Sequence, residues 1–476
     1  MKRDIFSSFI ARTGACIPTK VVPNSHFWGR VFYDSSGTPM QPNTDKNLLK
    51  FEDISLIGSR RYIEDHQTSL DIAVNAAREA NDPDLELDLI VAARNFKNLK
   101  LGQFDDIDMV PNHASRIKHY FASKKPEILD ADYPDYPVCD LIVAAYNLGR
   151  LKDNMAFCPT DLVLEVTGFD QTGLYESAEA ELLRLGVAAE KLSSIIVIHV
   201  VEKADCMAEQ IAEELGITYD LLLYDVVSGC PGFLQAFLHA DAFIRTGKIK
   251  RGLVVGFDTL SRNYDPFDRN CPLYADGAGA LLLERLVNSP KVGVLTSIVK
   301  SYVISNSKFL WMGPSNNQDY LGSFLNMDAE KVFQFTHKWV PLVIKEALDK
   351  AGVKFNEVAK IIPHQANGRI NYSNLATVAE LSGYDKSELG SLLPKKHSAA
   401  IIGELINKHG IRDIPPGIMA MTIDWLGNSS VATIATLLHL IMTGQLEGHI
   451  FKSGDILVLV TVGAGPTIIV AVIRLP

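Results

Sequence analysis

The strongest constraint on this chain lies near its C-terminal end, where residues 456–473 are almost wholly apolar but are cut by Gly463-Ala464-Gly465-Pro466. A helix crossing a bilayer needs about 20 uninterrupted apolar residues. The two runs here, ILVLVTV and TIIVAVI, are each too short, and the break between them has turn chemistry. Two fully buried strands joined by a Gly-rich turn is the reading such a pattern supports. The same kind of run recurs upstream as SIIVIHV (194–200), LLLYDVV (221–227), GLVVGFD (252–258), GALLLER (279–285) and KIIPHQ (360–365). Between these runs lie helical patterns: MAEQIAEELGI (207–217), FLQAFLHADAFIRTG (233–247) and KWVPLVIKEALDKAGV (338–353). Buried strands alternating with helices of this length predict an α/β fold whose sheets are covered on both faces.

The chain can afford such a fold. Hydrophobic residues make up 47% and charged residues 21%, ordinary values for a globular protein. Its 476 residues allow two or three units at roughly 100–200 residues each, or one large fused body. The formal net charge of −10 and a pI near 5.7 give no global attraction for nucleic acid, although a local basic patch could still meet an acidic partner. None of the six cysteines forms a CxxC or a zinc-like spacing, which fits reduced thiols in a cytoplasmic protein. The start, MKRDIFSSFIARTG, lacks the apolar stretch and cleavage site of a signal peptide.

The element order runs twice, a strand–helix–strand unit preceding Cys230 and another preceding His364. That pattern divides the chain into halves at 1–289 and 290–476. Residues 82–172 differ in composition, with DADYPDYP and KHYFASKKP, and read as an inserted subdomain in the first half. The hexapeptide DLIVAA occurs within it at 88–93 and 140–145. Periodicity cannot tell strand from helix in so short a run.

Three residues stand out chemically. Cys230, in YDVVSGCPGFLQAF, follows an apolar strand and precedes Pro231 and an apolar helical pattern. Pro is favoured at the first helical position, which puts the thiol at a helix N-terminus, where the dipole would lower its pKa. His364, in KIIPHQANGRI, sits at a strand-to-helix turn, and Asn428, in DWLGNSSVATIATLLHL, sits in a turn opening a helix. Taken singly, each also has a structural reading: a buried inert thiol, a core histidine, a capping asparagine. The segment YADGAGALLLE, with Asp276-Gly277-Ala278-Gly279 opening a strand, adds another motif in a fixed order.

With these motifs in hand, the chain resembles the thiolase-fold condensing enzymes, most closely the β-ketoacyl-acyl-carrier-protein synthase III group. The matching stretches are TGACIPTKVVPN, SGCPGF, GLVVGFDTLSRNYDPFDR, LYADGAGA, KIIPHQANGRI, GNSSVAT and VGAGPTIIVAVIRL, covering roughly 1–67 and 173–476. The resemblance implies an α/β thiolase fold: pseudo-repeated βαβαβ-type halves in an αβαβα layering. It implies that Cys230 takes the acyl group from a thioester. His364 and Asn428 would donate hydrogen bonds to the thioester carbonyl of a malonyl-type extender, stabilising the enolate left by decarboxylation. The backbone N–H groups of Cys230 and Ala464 would form the oxyanion hole. Asn367 would contact the phosphopantetheine arm, Arg369 would dock the acidic carrier protein with help from Lys360, Lys395 and Lys396, and Arg269 would contact the nucleotide of coenzyme A. A homodimer is implied. The substrates would be acyl-carrier-protein or coenzyme A thioesters, with no metal or redox cofactor.

The chain also departs from that family. Phe51 and Ser55 replace the Trp and Arg of the coenzyme A clamp, favouring a carrier-borne primer, and Val462 replaces an aromatic near the site. The interval from Arg61 to Cys230 is long, and residues 82–172 would cap the active-site mouth or extend the dimer contact. The leading expectation is decarboxylative Claisen condensation in fatty acid or polyketide-like secondary metabolism. Alternatives are acyl transfer to an oxygen or nitrogen acceptor, non-decarboxylative condensation using an additional glutamate, and an inactive partner of an active synthase. No GxGxxG supports a dinucleotide-binding enzyme.

Overall fold

The computed structural model describes residues 4–96, 98, 206–302, 309–383 and 417–476, with the backbone of strands at 141–145, 162–164 and 196–200. In chain order its strands are β1 (Phe6–Cys16), β2 (Lys20–Pro23), β3 (Ser59–Tyr62), β4 (Leu89–Ala93), β5 (Leu141–Ala145), β6 (Leu162–Leu164), β7 (Ile196–Val200), β8 (Leu222–Val226), β9 (Arg251–Thr259) and β10 (Asp276–Val287). They continue with β11 (Gly293–Ser301), β12 (Leu310–Gly313), β13 (Phe324–Met327), β14 (Val358–Pro363), β15 (Ile456–Gly463) and β16 (Thr467–Arg474). Every apolar run singled out above contains one of these strands.

Two sheets carry the architecture. The first has the order β1-β10-β9-β4-β8, and the second β11-β16-β15-β14. Their pairing repeats. In the first, β1–β10 and β10–β9 are antiparallel and β9–β4 is parallel. In the second, β11–β16 and β16–β15 are antiparallel and β15–β14 is parallel. An isolated parallel bridge from Ile361 to Met419 continues the second sheet where β8 continues the first.

Period-two burial assigns the faces. Leu457 and Leu459 on β15 point inward with Ile469 and Ala471 on β16, while Val458, Val470 and Val472 point outward. On β10, Leu281 and Leu283 point inward, and Ala280 and Leu282 outward. Between the sheets lie two buried helices, Gly232–Arg245 and Thr433–Met442, which contribute Leu234, Phe237, Ile244, Leu437, Leu438 and Ile441 to one core. Helices Ser69–Ala80 and Met207–Glu214 cover the outside of the first sheet, and helices Ala329–Ala351 and Gly368–Leu381 the outside of the second. The layers therefore run α-β-α-β-α. Each buried Leu, Val or Ile contributes roughly 1.5–3 kcal/mol, so the sandwiched helices are held by packing on both sides.

The structure corrects one sequence boundary. The first DLIVAA contains β4, fully buried between β9 and β8, so residues 89–96 belong to the core and not to the insertion. The second copy is β5, which pairs in parallel with β6 and β7 in a separate sheet. Identical hexapeptides give identical patterns; their tertiary neighbours separate them. The rest of the proposed insertion, apart from β5 and β6, lies outside the described residues, as do Lys395 and Lys396.

Asp225, at the end of β8, pins both flanks of that interval. It accepts from Arg94 Nε at 2.6 Å, in a wholly buried ion pair, and from the N–H groups of Met207 and Ala208 at 2.9 Å. The long helix also starts earlier than its sequence pattern, at Ala329, because Asp328 caps it by accepting from Lys331 N at 3.1 Å. Pro341 lies inside that helix, where its missing N–H is outweighed by a continuous buried face.

Candidate active site

The site forms where β4, β8 and β14 end. β4 and β8 are parallel neighbours in the first sheet and β14 lies in the second, and residues following all three line one cavity. Beyond β8, Gly229 adopts a positive φ of 65° and turns the chain into the helix Gly232–Arg245. Cys230 thus stands just before that helix, with Pro231 at its N-cap. Opposite runs the turn after β15. A Cβ at Gly463 would lie 2.5 Å from Pro231 Cδ and 3.0 Å from Cys230 N, so only glycine lets the two turns touch. This contact brings Ala464 against Gly229, and both of the expected oxyanion-hole residues, Cys230 and Ala464, line one cavity.

His364 follows β14 directly, and its N–H donates to Val460 O at 2.8 Å. The ring is buried, with Nδ1 at 2.7 Å from Thr433 Oγ1. Burial holds its pKa down to about 3, so the imidazole is neutral. Thr433 has one hydroxyl proton and two acceptors in reach, His364 Nδ1 and Ser430 O at 3.0 Å. Donation to Nδ1 leaves the ring proton on Nε2, the tautomer able to donate to a carbonyl.

Asn428 is held on three sides. Its N–H donates to Leu273 O at 3.0 Å, its C=O accepts from Ala275 N at 2.8 Å, and its Oδ1 accepts from Ser430 N at 2.9 Å. The side-chain oxygen being used, the amide NH₂ is left for a ligand. The DGAGA motif makes this possible: Gly279 on β10 leaves no room for a Cβ, with Ala435 Cβ at 2.6 Å from where one would stand, and a Cβ at Gly277 would press on Ser429 Cβ at 3.2 Å.

Cys230, His364, Asn428 and Ala464 line one cavity of about 350 Å³. Its far walls are apolar, built by Phe96, Leu260, Phe309, Leu325, Phe333 and Phe335. Asn367 and Arg369 line it as well. Asn367 caps the helix Gly368–Leu381, accepting from Arg369 N at 3.0 Å and Ile370 N at 3.3 Å, and the exposed Arg369 donates to Asp53 O. Arg269 is exposed and stands apart from the residues lining this cavity. Lys360 is buried and donates to Gly417 O at 2.8 Å, so it adds nothing to a surface patch.

The thiol departs from expectation. Burial pushes Cys230 up to about 11, with Asp258 adding to the rise and the Ser430 hydrogen bond opposing it. Desolvation of a thiolate therefore opposes the helix N-terminus at this half-buried side chain.

Sequence reasoning missed a polar cluster beneath the sulfur. Ser430 Oγ hydrogen-bonds Cys230 Sγ at 3.4 Å. Asn95 Nδ2 donates to Ser430 Oγ at 2.8 Å and to Asp258 Oδ2 at 2.7 Å, and Asn95 N donates to Asp258 Oδ1 at 3.2 Å. All three residues are buried. One signal was available for Asn95: it follows β4 as His364 follows β14, at the equivalent place in the repeated pairing pattern.

The chain is similar to known proteins in both sequence and fold. The family model of 3-oxoacyl-[acyl-carrier-protein] synthase III matches residues 224–302, and the model of its C-terminal part matches 379–475. The chain is 28% identical over 361 residues to β-ketoacyl-[acyl-carrier-protein] synthase III of Alkalilimnicola ehrlichii, covering 70% of this chain and 95% of that protein. It is 31% identical over 299 residues to the Rhizobium rhizogenes enzyme of the same name, covering 61% and 80%. Among solved structures, the fold is similar to 3-oxoacyl-[acyl-carrier-protein] synthase III of Aquifex aeolicus (TM-score 0.55, 21% identity, 98% and 99% of the two chains). It is also similar to the priming β-ketosynthase of the R1128 polyketide pathway (TM-score 0.55, 17% identity, 100% and 98%). The fold is thus that of the thiolase-like synthases, and by sequence the chain belongs to the β-ketoacyl-[acyl-carrier-protein] synthase III family of acyltransferase-type condensing enzymes.

Proposed function

We propose that this chain performs a decarboxylative Claisen condensation in fatty acid or polyketide biosynthesis, with Cys230 carrying the acyl group. The observation that carries the reading is the opening of Cys230, His364 and Asn428 onto one cavity, with Asn428 Oδ1 tied to Ser430 N and its NH₂ left to donate. Sulfur attacks the carbonyl carbon of an acyl thioester, and the donor's pantetheine thiol leaves. A malonyl-type thioester then loses carbon dioxide, and its enolate oxygen takes hydrogen bonds from Asn428 and the Nε2–H tautomer of His364. The enolate carbon attacks acyl-Cys230, whose oxyanion faces the N–H groups of Cys230 and Ala464. Atoms and charge balance with thioesters alone, so the reaction needs no metal or redox group.

The finer assignments follow the same reading. Asn367 and Arg369, at the cavity, face an incoming pantetheine arm and its acidic carrier. Arg269, outside the cavity, meets a coenzyme A nucleotide only at the surface, which favours a carrier-borne primer. The enzyme works as a homodimer in the cytoplasm; no helix among the described residues is long and apolar enough to cross a membrane. The orienting bond on Asn428 favours condensation over transfer to an oxygen or nitrogen acceptor, since plain transfer has no enolate to hold.

Intact-protein mass spectrometry after incubation with a panel of acyl thioesters tests the first step, and carbon dioxide release from malonyl carrier protein tests the second. Acylation at Cys230 followed by malonyl-dependent carbon dioxide release is expected. Acylation without carbon dioxide release, with the acyl group passing to an alcohol or amine, would replace condensation with transfer.

A further inference from the structure

The mechanism above leaves one step without a base. Attack of Cys230 on a thioester requires the thiol proton to leave. The sulfur is hydrogen-bonded to Ser430, and no bond joins it to His364, whose Nδ1 is engaged by Thr433. We propose that Ser430 and Asp258 form a proton relay that takes the proton from Cys230 as its sulfur attacks the acyl donor. The proposal rests on Cys230 being the acyl-bearing nucleophile.

The geometry supplies each link. Ser430 Oγ lies 3.4 Å from Sγ and also hydrogen-bonds the Asp258 carboxylate. Asn95 Nδ2 fills an acceptor position on Ser430 at 2.8 Å. The serine's own proton is therefore directed either to the carboxylate or to the sulfur. Ser430 is held in a left-handed conformation, φ 51°, uncommon for a residue with a side chain. Its N–H is fixed by Asn428 Oδ1. The backbone is thus constrained at a point where only the hydroxyl's direction matters to the sulfur.

Charge makes the same case. Among the described residues, the groups acting on Cys230 are Ser430, Asp258 and its own backbone, and none is a cation. A free thiolate beside an ionised Asp258 would put two negative charges in one desolvated space. Moving the proton from sulfur to Asp258 keeps the total at one. The groups meeting Asp258 are Asn95 from β4, Ser430 and the Val431 N–H from the turn after Asn428, and Gly277 opposite it on β10; none is charged. Burial raises Asp258 to about 7, against hydrogen bonds that lower it, and a carboxyl in that range can both take and return a proton near neutrality.

The step balances. As the S–C bond forms, Sγ–H passes its proton to Ser430 Oγ and Ser430 passes its own to Asp258. The donor's thiolate leaves with its electron pair and takes a proton from water. When the enolate later attacks acyl-Cys230 and the thiolate is released, Asp258 returns the proton along the same path.

The test follows acylation alone, by rapid quench and intact mass, with an acyl thioester and no extender, across pH. The wild-type rate should rise with pH and level off beyond an inflection near 7, where Asp258 loses its proton. Ser430→Ala and Asp258→Asn should each slow acylation by about 100-fold or more, the usual contribution of a positioned base, and should erase that inflection. If Asp258→Asn does not fold, Ser430→Ala decides, because it leaves Asn95 bonded to Asp258. A folded Ser430→Ala protein that acylates at the wild-type rate with the wild-type pH profile overturns the relay. Failure of every thioester to load the wild-type thiol overturns the reading of Cys230 and the relay with it.

Discussion

His364 Nδ1 stands 2.7 Å from Thr433 Oγ1, and that hydroxyl also reaches Ser430 O at 3.0 Å. The tautomer of the histidine therefore depends on where one threonine points its single proton. In a buried neutral ring, the side facing the substrate donates only if Nδ1 accepts.

Thr433→Val removes that choice while keeping the volume. Carbon dioxide release from malonyl carrier protein should fall by about 100-fold, the scale on which losing one donor to a developing oxyanion acts. Acyl-Cys230 should still accumulate, because the substitution touches the second half-reaction. Thr433→Ser should restore release. Equal loss of acylation and release in the valine variant would mean that the threonine shapes the cavity and not the histidine.

Gly463→Ala tests the contact between the turns. The new Cβ would meet Pro231 Cδ, a ring atom tied to the backbone nitrogen, at 2.5 Å and the backbone Cys230 N at 3.0 Å. Overpacking of this kind costs typically about 1–3 kcal/mol. The variant should melt lower and acylate slowly, since the displaced turn carries the Ala464 N–H. Thermal melting and acylation rates measure the two effects separately; an unchanged acylation rate would place the oxyanion donor elsewhere.

Two buried groups act on stability in opposite senses. Burial lowers His364 from 6.5 to about 3. Between those values the unfolded chain binds a proton that the folded one does not, so this contribution to stability rises with pH. Burial raises Asp258 from 3.8 to about 7. There the folded chain keeps a proton that the unfolded one releases, so this contribution falls with pH. Asp258→Asn removes only the second. The stability of the variant relative to wild type should therefore increase as pH rises from near 3.8 to near 7 and then level off. A series of Tm values across that range measures it, and a flat difference would mean that Asp258 stays ionised throughout.

Much of this protein was legible in its residues. Apolar runs of strand length located the buried strands, and the Gly463–Pro466 break showed that the last of them form a pair. The motifs around Cys230, His364 and Asn428 identified the residues that share the cavity. These readings succeed because they depend on local chemistry: period, turn residues and the position of a side chain just past a strand. The tertiary structure decided what depends on distant neighbours. It put one DLIVAA at the centre of a sheet and the other in a separate sheet. It showed Lys360 donating to the Gly417 carbonyl and desolvation opposing the helix N-terminus at Cys230. It brought Asn95, Asp258 and Ser430 together beneath the sulfur, although up to 335 residues separate them along the chain. A hydrogen bond is set by distance and direction in space, and desolvation by everything packed around a group; neither is written in the order of residues alone.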